Sequence, residues 1–188
     1  MSSATKTAAV STYVALLRGI NVGGRHSLPM KDLARFFDEA KCGSVRTYIQ
    51  SGNVVFSPPR GALAKLGKCI EGKIEQRFGF SSTVILRSAD EMVQVLRSNP
   101  FLKDGMPEKT LYVYFLADTP TAEAIQLLDP SRSVPDAYRV VGREVYLYMP
   151  NGMGRTKLTS SYLDSRLSTV GTARNWATVC KLFEMAHA

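Results

Sequence analysis

The chain has 188 residues, of which 45% are hydrophobic and 21% are charged, and its formal net charge is +8 at pH 7. This composition is typical of a folded globular protein and excludes a disordered, charge-rich chain. No run approaches the roughly 20 apolar residues of a membrane span, and the start lacks a basic stretch before an apolar core, so neither membrane insertion nor export is predicted.

The first half of the chain predicts the element order βαββαβ. Strands are indicated by runs of β-forming residues, and helices by apolar residues at helical spacing. The two-residue turn Ser51-Gly52 between two β-rich runs predicts a hairpin. The predicted elements are a strand at 12–17, a helix at 29–42, strands at 45–50 and 53–56, a helix at 63–78 and a strand at 82–86.

After a short helix at 90–96, the same order begins again. A glycine-containing turn again separates two β-rich runs, and a glycine-rich loop leads into the second helix. The predicted elements are a strand at 111–116, a helix at 121–128, strands at 138–141 and 145–149, a helix at 158–167, a strand at 168–172 and a last helix at 176–186.

This duplicated order predicts the fold class. We expect an α+β protein made of two ferredoxin-like βαββαβ repeats, each an antiparallel sheet with helices on one face, plus a C-terminal helix. The predicted boundaries are a flexible tail at 1–11, a first half at 12–88, and a second half at 89–188 that includes the linking helix and the C-terminal helix.

Tyrosines alternate along two predicted strands of the second half. Tyr112 and Tyr114 share one side of their strand, and Tyr146 and Tyr148 share one side of theirs. As central neighbours, the two strands are expected to form a patch of four tyrosines. The patch can stack bases of single-stranded nucleic acid, or it can be buried where two sheets pack together; we favour burial.

The loop after the first strand is a candidate anion site. Gly19, Gly23 and Gly24 permit positive φ, and backbone N–H groups there can converge on an anion beside a helix start. Arg18 adds positive charge, and Asn21 lies within the same loop. The alternative is a tight connection from strand to helix without a ligand.

A second loop carries Gly152 and Gly154, followed by Arg155 and Lys157 at a helix start. Cations are unfavourable at that end of a helix dipole, which favours an anion-binding role. Either side chain can instead pair with a carboxylate or remain solvated.

Arg174 and Asn175 precede the last helix. By residue type, Asn175 is a good helix N-cap. Arg174 joins the candidate anion ligands, with a salt bridge as the alternative. Gln50 and Asn53 bracket the first hairpin turn and are expected to hydrogen bond that turn.

Several long strings resemble the bacterial domain of unknown function 1697 family, in the same order and over nearly the whole chain. A difference is Ala177, where that family usually carries asparagine. The resemblance implies a duplicated α/β fold and implies no activity, cofactor or substrate. The strings are RGINVGG at 18–24, LPM at 28–30, TYIQSGNV at 47–54, PNGMGRTKL at 150–158 and TARNW at 172–176.

Catalytic and metal-binding patterns are sparse. The histidines are His26 and His187, and the three cysteines have no C-x-x-C spacing, so the sequence predicts no catalytic set, metal site or cofactor. Free thiols favour the cytoplasm. An enzyme of unknown class stays open; His26 beside a carboxylate would support it.

The positive charge and the two glycine loops together predict a non-catalytic binding protein. Its expected partner is a phosphate-bearing small molecule or nucleic acid, held at an anion site formed by both loops. The alternative is binding of single-stranded nucleic acid by the tyrosines. The sequence does not define an oligomeric state.

Overall fold

The computed structural model describes residues 11–188, so the predicted tail at 1–11 lies outside the described residues except for Ser11. A single turn of 3-10 helix spans Glu108–Thr110. The strands are β1 (Tyr13–Leu17), β2 (Gly43–Tyr48), β3 (Asn53–Ser57), β4 (Val84–Ser88), β5 (Leu111–Leu116), β6 (Ala137–Val141), β7 (Glu144–Tyr148) and β8 (Gly171–Asn175). The helices are α1 (Met30–Glu39), α2 (Leu63–Phe78), α3 (Ala89–Arg97), α4 (Pro100–Lys103), α5 (Ala122–Gln126), α6 (Ser160–Leu167) and α7 (Trp176–His187).

The eight strands form two four-stranded antiparallel sheets of identical topology. The first sheet has the order β2-β3-β1-β4, and the second has the order β6-β7-β5-β8. Each sheet therefore arises from one βαββαβ unit whose first and third strands are central. The predicted α+β fold with two ferredoxin-like repeats and a C-terminal helix is confirmed.

Each sheet has an outer face covered by its own helices. Side chains of a strand alternate between faces, so Ala15 and Leu17 of β1 meet α1 and α2. In the second half, Leu116 and Leu147 pack with α5 and α6 in the same way. Two separate outer cores result, one in each half.

The inner faces of the two sheets share a third core. Val14 and Leu16 of the first sheet belong to the same buried cluster as Val113 and Phe115 of the second. The helices α3 and α7, which follow the last strand of each half, pack against each other and complete this cluster. The face that a single ferredoxin-like unit leaves free is thus buried between the halves. Across residues 11–188, no helix combines the length and the apolar character that crossing a membrane requires.

The prediction that four tyrosines form a single patch is wrong, because the register of β5 and β7 places them on different faces of the sheet. Tyr112 lies opposite Leu147, whereas Tyr146 lies opposite Val113. Residues directly opposite each other in an antiparallel pair share a face, so the tyrosines of β5 and those of β7 point to opposite faces. Tyr146 is buried in the core shared by the two sheets, as expected for sheets that pack together, whereas Tyr114 is buried beneath α6; each is 1% exposed.

The last strand is placed differently from its prediction at 168–172. Ser168 has φ 53° and ends α6, so the chain turns before β8 begins at Gly171. The strand then pairs with β5 as far as Asn175. Arg174 consequently lies within a strand, and its side chain points to the inner face of the sheet. The sequence also did not predict the short α4 or the 3-10 turn.

Candidate functional site

Arg174, a candidate anion ligand, is a buried structural residue with 7% exposure. Its Nε donates to Oδ1 of Asn53 at 2.6 Å, and its Nη2 donates to the carbonyl oxygens of Leu17 and Ser51, each at 2.9 Å. Burial lowers the pKa of Arg174 to about 10. Because its donors are used within the protein, this guanidinium is not open to an external anion.

Arg87 makes the reciprocal contact from the first half. Its Nε donates to Oε1 of Glu144 at 2.8 Å, and its Nη2 donates to the carbonyl oxygen of Leu116 at 2.7 Å. Like Arg174, it directly precedes the residue that caps the following helix. Each half therefore sends one buried arginine to the hairpin turn and first strand of the other. We call Arg87 and Arg174, with these partners, the arginine exchange.

Arg18 also joins the two halves. Its guanidinium pairs with the carboxylate of Asp164 at 2.7 Å, donates to the hydroxyl oxygen of Tyr114 at 3.0 Å, and donates to the carbonyl oxygen of Gly171. Burial lowers the pKa of Arg18, but Tyr114 and Asp164 outweigh burial and raise it. Burial and the hydrogen bond to Asp164 raise the pKa of Tyr114 to about 12. Arg18 is therefore engaged with a carboxylate.

The rest of the first glycine loop is a tight, exposed turn. Gly23 and Gly24 have φ of 58° and 73°, and the N–H of Arg25 donates to the carbonyl oxygen of Val22 at 3.1 Å. The side chain of Asn21 closes the loop by bonding the backbone N–H and C=O of Leu28. These contacts support the alternative of a strand-to-helix connection, to which Gly19 contributes with φ 65°.

Asn175 and Asn53 make the structural contacts expected of them. The side chain of Asn175 accepts the N–H of Thr178 at 2.8 Å and so caps α7. Asn53 donates to the carbonyl oxygen of Tyr48 at 3.1 Å within the first hairpin. The strings that carry the sequence resemblance thus form much of the polar contact between the two halves.

The two glycine loops lie at opposite ends of the second sheet. The first loop follows β1, and its Arg18 contacts Gly171, which pairs with Leu116 where β5 ends. The second loop follows β7, whose Tyr148 pairs with Leu111 where β5 begins. The prediction of one anion site formed by both loops is therefore wrong.

The second glycine loop lines a pocket of about 250 Å³, which we call the basic pocket. The connection between α5 and β6 forms its other wall. Arg155 and Lys157, which the sequence indicated, meet Arg132, which it did not. The lining residues are Ser131, Arg132, Ser133, Val134, Pro135, Asp136, Asn151, Arg155 and Lys157. Gly152, with φ 76°, and Gly154 shape the same loop without lining the pocket.

Hydrogen bonds hold the two walls of the basic pocket together. Arg132 Nε donates to the carbonyl oxygen of Lys157 at 2.9 Å, and its guanidinium lies 4.0 Å from the centre of the Tyr162 ring. The hydroxyl of Ser133 accepts the backbone N–H of Lys157 at 2.9 Å and donates to Asp136 at 2.7 Å. The pocket is thus a fixed arrangement of two loops.

The charges of the basic pocket are unbalanced. Within residues 11–188, no carboxylate lies within 4.0 Å of a side-chain nitrogen of Arg132, Arg155 or Lys157. The carboxylate that lines the pocket, Asp136, accepts a hydrogen bond from the hydroxyl of Ser133. Three cations and one carboxylate therefore line the pocket; outside the lining, hydrogen bonds from Ser131 and the charge of Arg132 lower the pKa of Asp129. The sequence feature that could have indicated Arg132 is its position between Ser131 and Ser133 in a proline-containing loop.

The basic pocket is specific to the second half. Its walls are the connections 127–136 and 149–159, whereas the equivalent connections of the first half are 40–42 and 58–62. Both connections have been extended in the half that carries the pocket. Since the two sheets have the same topology, this extension is not required by the fold.

His26 contacts an aromatic ring and a backbone carbonyl oxygen. His26 stacks on Phe80 with 4.7 Å between ring centres, and its Nδ1 lies 3.1 Å from the carbonyl oxygen of Gly19. These contacts do not place it beside a carboxylate, which was the observation that would support an enzyme. In the described part of the chain, no three histidine, cysteine, aspartate or glutamate side chains are grouped to hold a metal.

Comparison with known proteins supports the fold. Residues 10–146 match the family described as protein of unknown function (DUF1697). The conserved bacterial protein SP0830 from Streptococcus pneumoniae has a similar structure, with a TM-score of 0.68 and 21% sequence identity, over 94% of this chain and 98% of that one. No curated protein matches the sequence.

Proposed function

The chain belongs to the DUF1697 family of proteins of unknown function, and we propose from its geometry that it is a non-catalytic protein that binds a small phosphate-bearing ligand in the basic pocket. The observation that carries the proposal is that Arg132, Arg155 and Lys157 line one pocket while, among residues 11–188, no carboxylate lies within 4.0 Å of their side-chain nitrogens. Like charges repel unless an anion neutralises them. A ligand with more than one negative charge suits this pocket best.

The neutral groups of the pocket also suit phosphate. Asn151 adds an amide donor to the lining, whereas the hydroxyl of Ser131 donates to Oδ1 of Asp129 at 2.7 Å. Arg132 donates through Nε to the carbonyl oxygen of Lys157, and this hydrogen bond fixes the orientation of its guanidinium. A preorganised arginine loses little side-chain entropy when it binds a phosphate oxygen.

The size of the pocket supports a small ligand. Its volume of about 250 Å³ lies just below the range of about 300–1,000 Å³ that is usual for ligand sites. A phosphate group and a few further atoms fill such a space. The tyrosine hypothesis for nucleic acid gains no comparable support, since Tyr114 and Tyr146 are buried.

We propose the cytoplasm as the compartment in which the protein works. Cys42, Cys69 and Cys180 are free thiols. Reducing conditions preserve such thiols, and burial raises the pKa of Cys42 to about 11, which keeps that thiol protonated.

A thermal-shift titration with inorganic phosphate, pyrophosphate and phosphorylated sugars tests the proposal. Ligand at about a hundred times Kd stabilises a protein by about 2.7 kcal/mol, which raises the Tm of a chain of this size by about 5–11 °C. An R155A/K157A double variant should bind about a hundredfold more weakly, since each lost charge-assisted contact is worth about tenfold.

The matched control is the double variant R60A/K65A. It removes two positive charges from the connection 58–62 and the start of α2 in the first half, and neither residue lines the basic pocket. Its affinity for pyrophosphate should equal that of the parent protein. Equal affinities for the parent and for R155A/K157A would contradict the proposal, as would the absence of stabilisation by any of these anions.

A further inference from the structure

The strand β6 is an edge of the second sheet and begins at the basic pocket. Its register with β7 is regular over its whole length, from Ala137 opposite Tyr148 to Val141 opposite Glu144. Asp136, the residue directly before β6, lines the basic pocket. An extended chain that pairs along β6 therefore reaches the pocket with its next residue.

The outer side of β6 offers backbone groups for pairing. Antiparallel residue pairs alternate between hydrogen-bonded and non-hydrogen-bonded, and Val141 and Glu144, which flank a two-residue turn, are a bonded pair. Tyr138 and Val140 consequently direct their N–H and C=O groups away from β7. Within residues 11–188, neither N–H has an acceptor, and the carbonyl oxygen of Tyr138 accepts Nη1 of Arg139 at 2.9 Å. The N–H of Tyr138 and both backbone groups of Val140 thus remain open to a partner strand.

The corresponding edge of the first half, β2, is interrupted. Its register with β3 shifts between Gly43 and Arg46, and Ser44 has φ 50°. An irregularity of this kind bends and twists an edge strand and so disfavours pairing with another chain. In addition, Arg46 donates to the carbonyl oxygen of Met185 in α7. The regular edge of β6 is therefore a property of the half that also carries the basic pocket.

Charge indicates which chain β6 can pair with. Arg139 is exposed, and among residues 11–188 no carboxylate lies within 4.0 Å of its side-chain nitrogens. Antiparallel pairing of β6 with a second copy over its whole length would place Arg139 directly opposite itself, which is unfavourable. An acidic segment is complementary to Arg139, and the three cations of the basic pocket extend this preference to the end of the strand. Val134 and Val141, which are 75% and 41% exposed, add apolar surface on either side of this region.

We propose that β6 adds an extended, acidic segment of another protein as an antiparallel strand, and that a phosphorylated serine of that segment occupies the basic pocket. The inference rests on the proposed function, because the phosphorylated side chain takes the place of the small phosphate-bearing ligand. Backbone hydrogen bonds along an edge give affinity, and a pocket for one side chain gives specificity. Directly opposite residues share a face, so an acidic residue opposite Arg139 lies three positions before the phosphorylated residue, which is opposite Asp136 at the pocket.

The probe is a peptide with blocked ends and the sequence Thr-Val-Glu-Val-Thr followed by phosphoserine, which places its glutamate opposite Arg139. Isothermal titration calorimetry compares it with blocked phosphoserine alone and with the same peptide without phosphate. We expect the phosphopeptide to bind at least about tenfold more tightly than either, since only it combines strand hydrogen bonds with the phosphate contacts. Equal affinity of the phosphopeptide and blocked phosphoserine would overturn the proposal, as would equal affinity of the two peptides.

Two substitutions of Val140 test the strand itself. V140P removes the outward N–H, and an edge strand tolerates proline where the N–H faces solvent. Its affinity for the phosphopeptide should fall to that of blocked phosphoserine. V140A keeps the N–H and is the matched control, so it should bind the phosphopeptide as the parent protein does. Unchanged phosphopeptide binding in V140P, or equal losses in V140P and V140A, would overturn the assignment to β6.

Pyrophosphate separates this inference from the proposed function. V140P should bind pyrophosphate as tightly as the parent protein, because Val140 does not line the basic pocket, and this binding also reports that the variant is folded. If the parent protein binds pyrophosphate but gains nothing from the peptide, the proposed function stands and this inference fails. Absence of pyrophosphate binding contradicts the proposed function, and this inference with it.

Discussion

The two arginines of the arginine exchange differ in their partners, which predicts how the protein responds to losing a charge. Arg87 is fully buried and faces the carboxylate of Glu144, whereas Arg174 faces the neutral amide oxygen of Asn53. The second contact shows that a neutral acceptor is compatible with a buried guanidinium in this fold. Glu144→Gln should therefore be tolerated, and Arg87→Met should not.

The expected magnitudes follow from what each change leaves unpaired. Removing one member of a buried ion pair costs about 3–5 kcal/mol, and Arg87→Met also takes a donor from the carbonyl oxygen of Leu116. Glu144→Gln keeps an oxygen acceptor for Nε, and the hydrogen bond stays charge-assisted because the guanidinium keeps its charge; within the range of about 1.5–3 kcal/mol for such bonds, the expected loss is about 1 kcal/mol.

Thermal denaturation of the parent and both variants, followed by far-UV circular dichroism, measures these differences. At about 2–4 °C per kcal/mol for a chain of this length, Tm should fall by about 6–20 °C for Arg87→Met and by about 2–4 °C for Glu144→Gln. A Glu144→Gln variant that is destabilised as much as Arg87→Met would refute the reasoning, because the charge rather than the hydrogen bonds would then hold the guanidinium.

Three further predictions concern other positions. Gly52→Ala should lower the free energy of unfolding by about 1–3 kcal/mol in urea titrations, because a Cβ there, at φ 74°, lies 2.7 Å from Cβ of Leu17. Burial raises the pKa of Glu91, but hydrogen bonds from a backbone N–H and from Arg143 outweigh burial and lower it below its ordinary 4.5. Its contribution to stability is therefore present above that value and lost as the pH falls through the lowered pKa; urea midpoints measured across this acid range should vary less in Glu91→Gln. Asn175→Ala should cost about 1 kcal/mol through the lost cap of α7, which calorimetry can detect as a lower Tm.

The sequence predicted what depends on local patterns. Apolar periodicity and turn residues gave the element order, and Asn175 was recognised as a cap because capping involves neighbouring residues. The prediction of a tyrosine patch failed because the register of two strands decides which of their side chains share a face. Here the register differs by one residue from the one that would place all four tyrosines on the same face.

Partners that are distant in the sequence could not be predicted. Arg174 meets Asn53 across 121 positions, and its burial became visible only once β8 was placed in the sheet. Likewise, Arg132 joins Lys157 through a backbone carbonyl that has no signature in the sequence. Pattern alone identifies a cation, whereas the structure decides whether its charge is used internally or left for a ligand.

The arginine exchange has a consequence for how the molecule loses its structure. Each hairpin turn is secured by a side chain from the opposite half, so neither half keeps its own turn intact once the other has melted. The duplicated halves are therefore one thermodynamic unit. Calorimetry should show a single transition whose van't Hoff and calorimetric enthalpies agree, despite the repeat in topology.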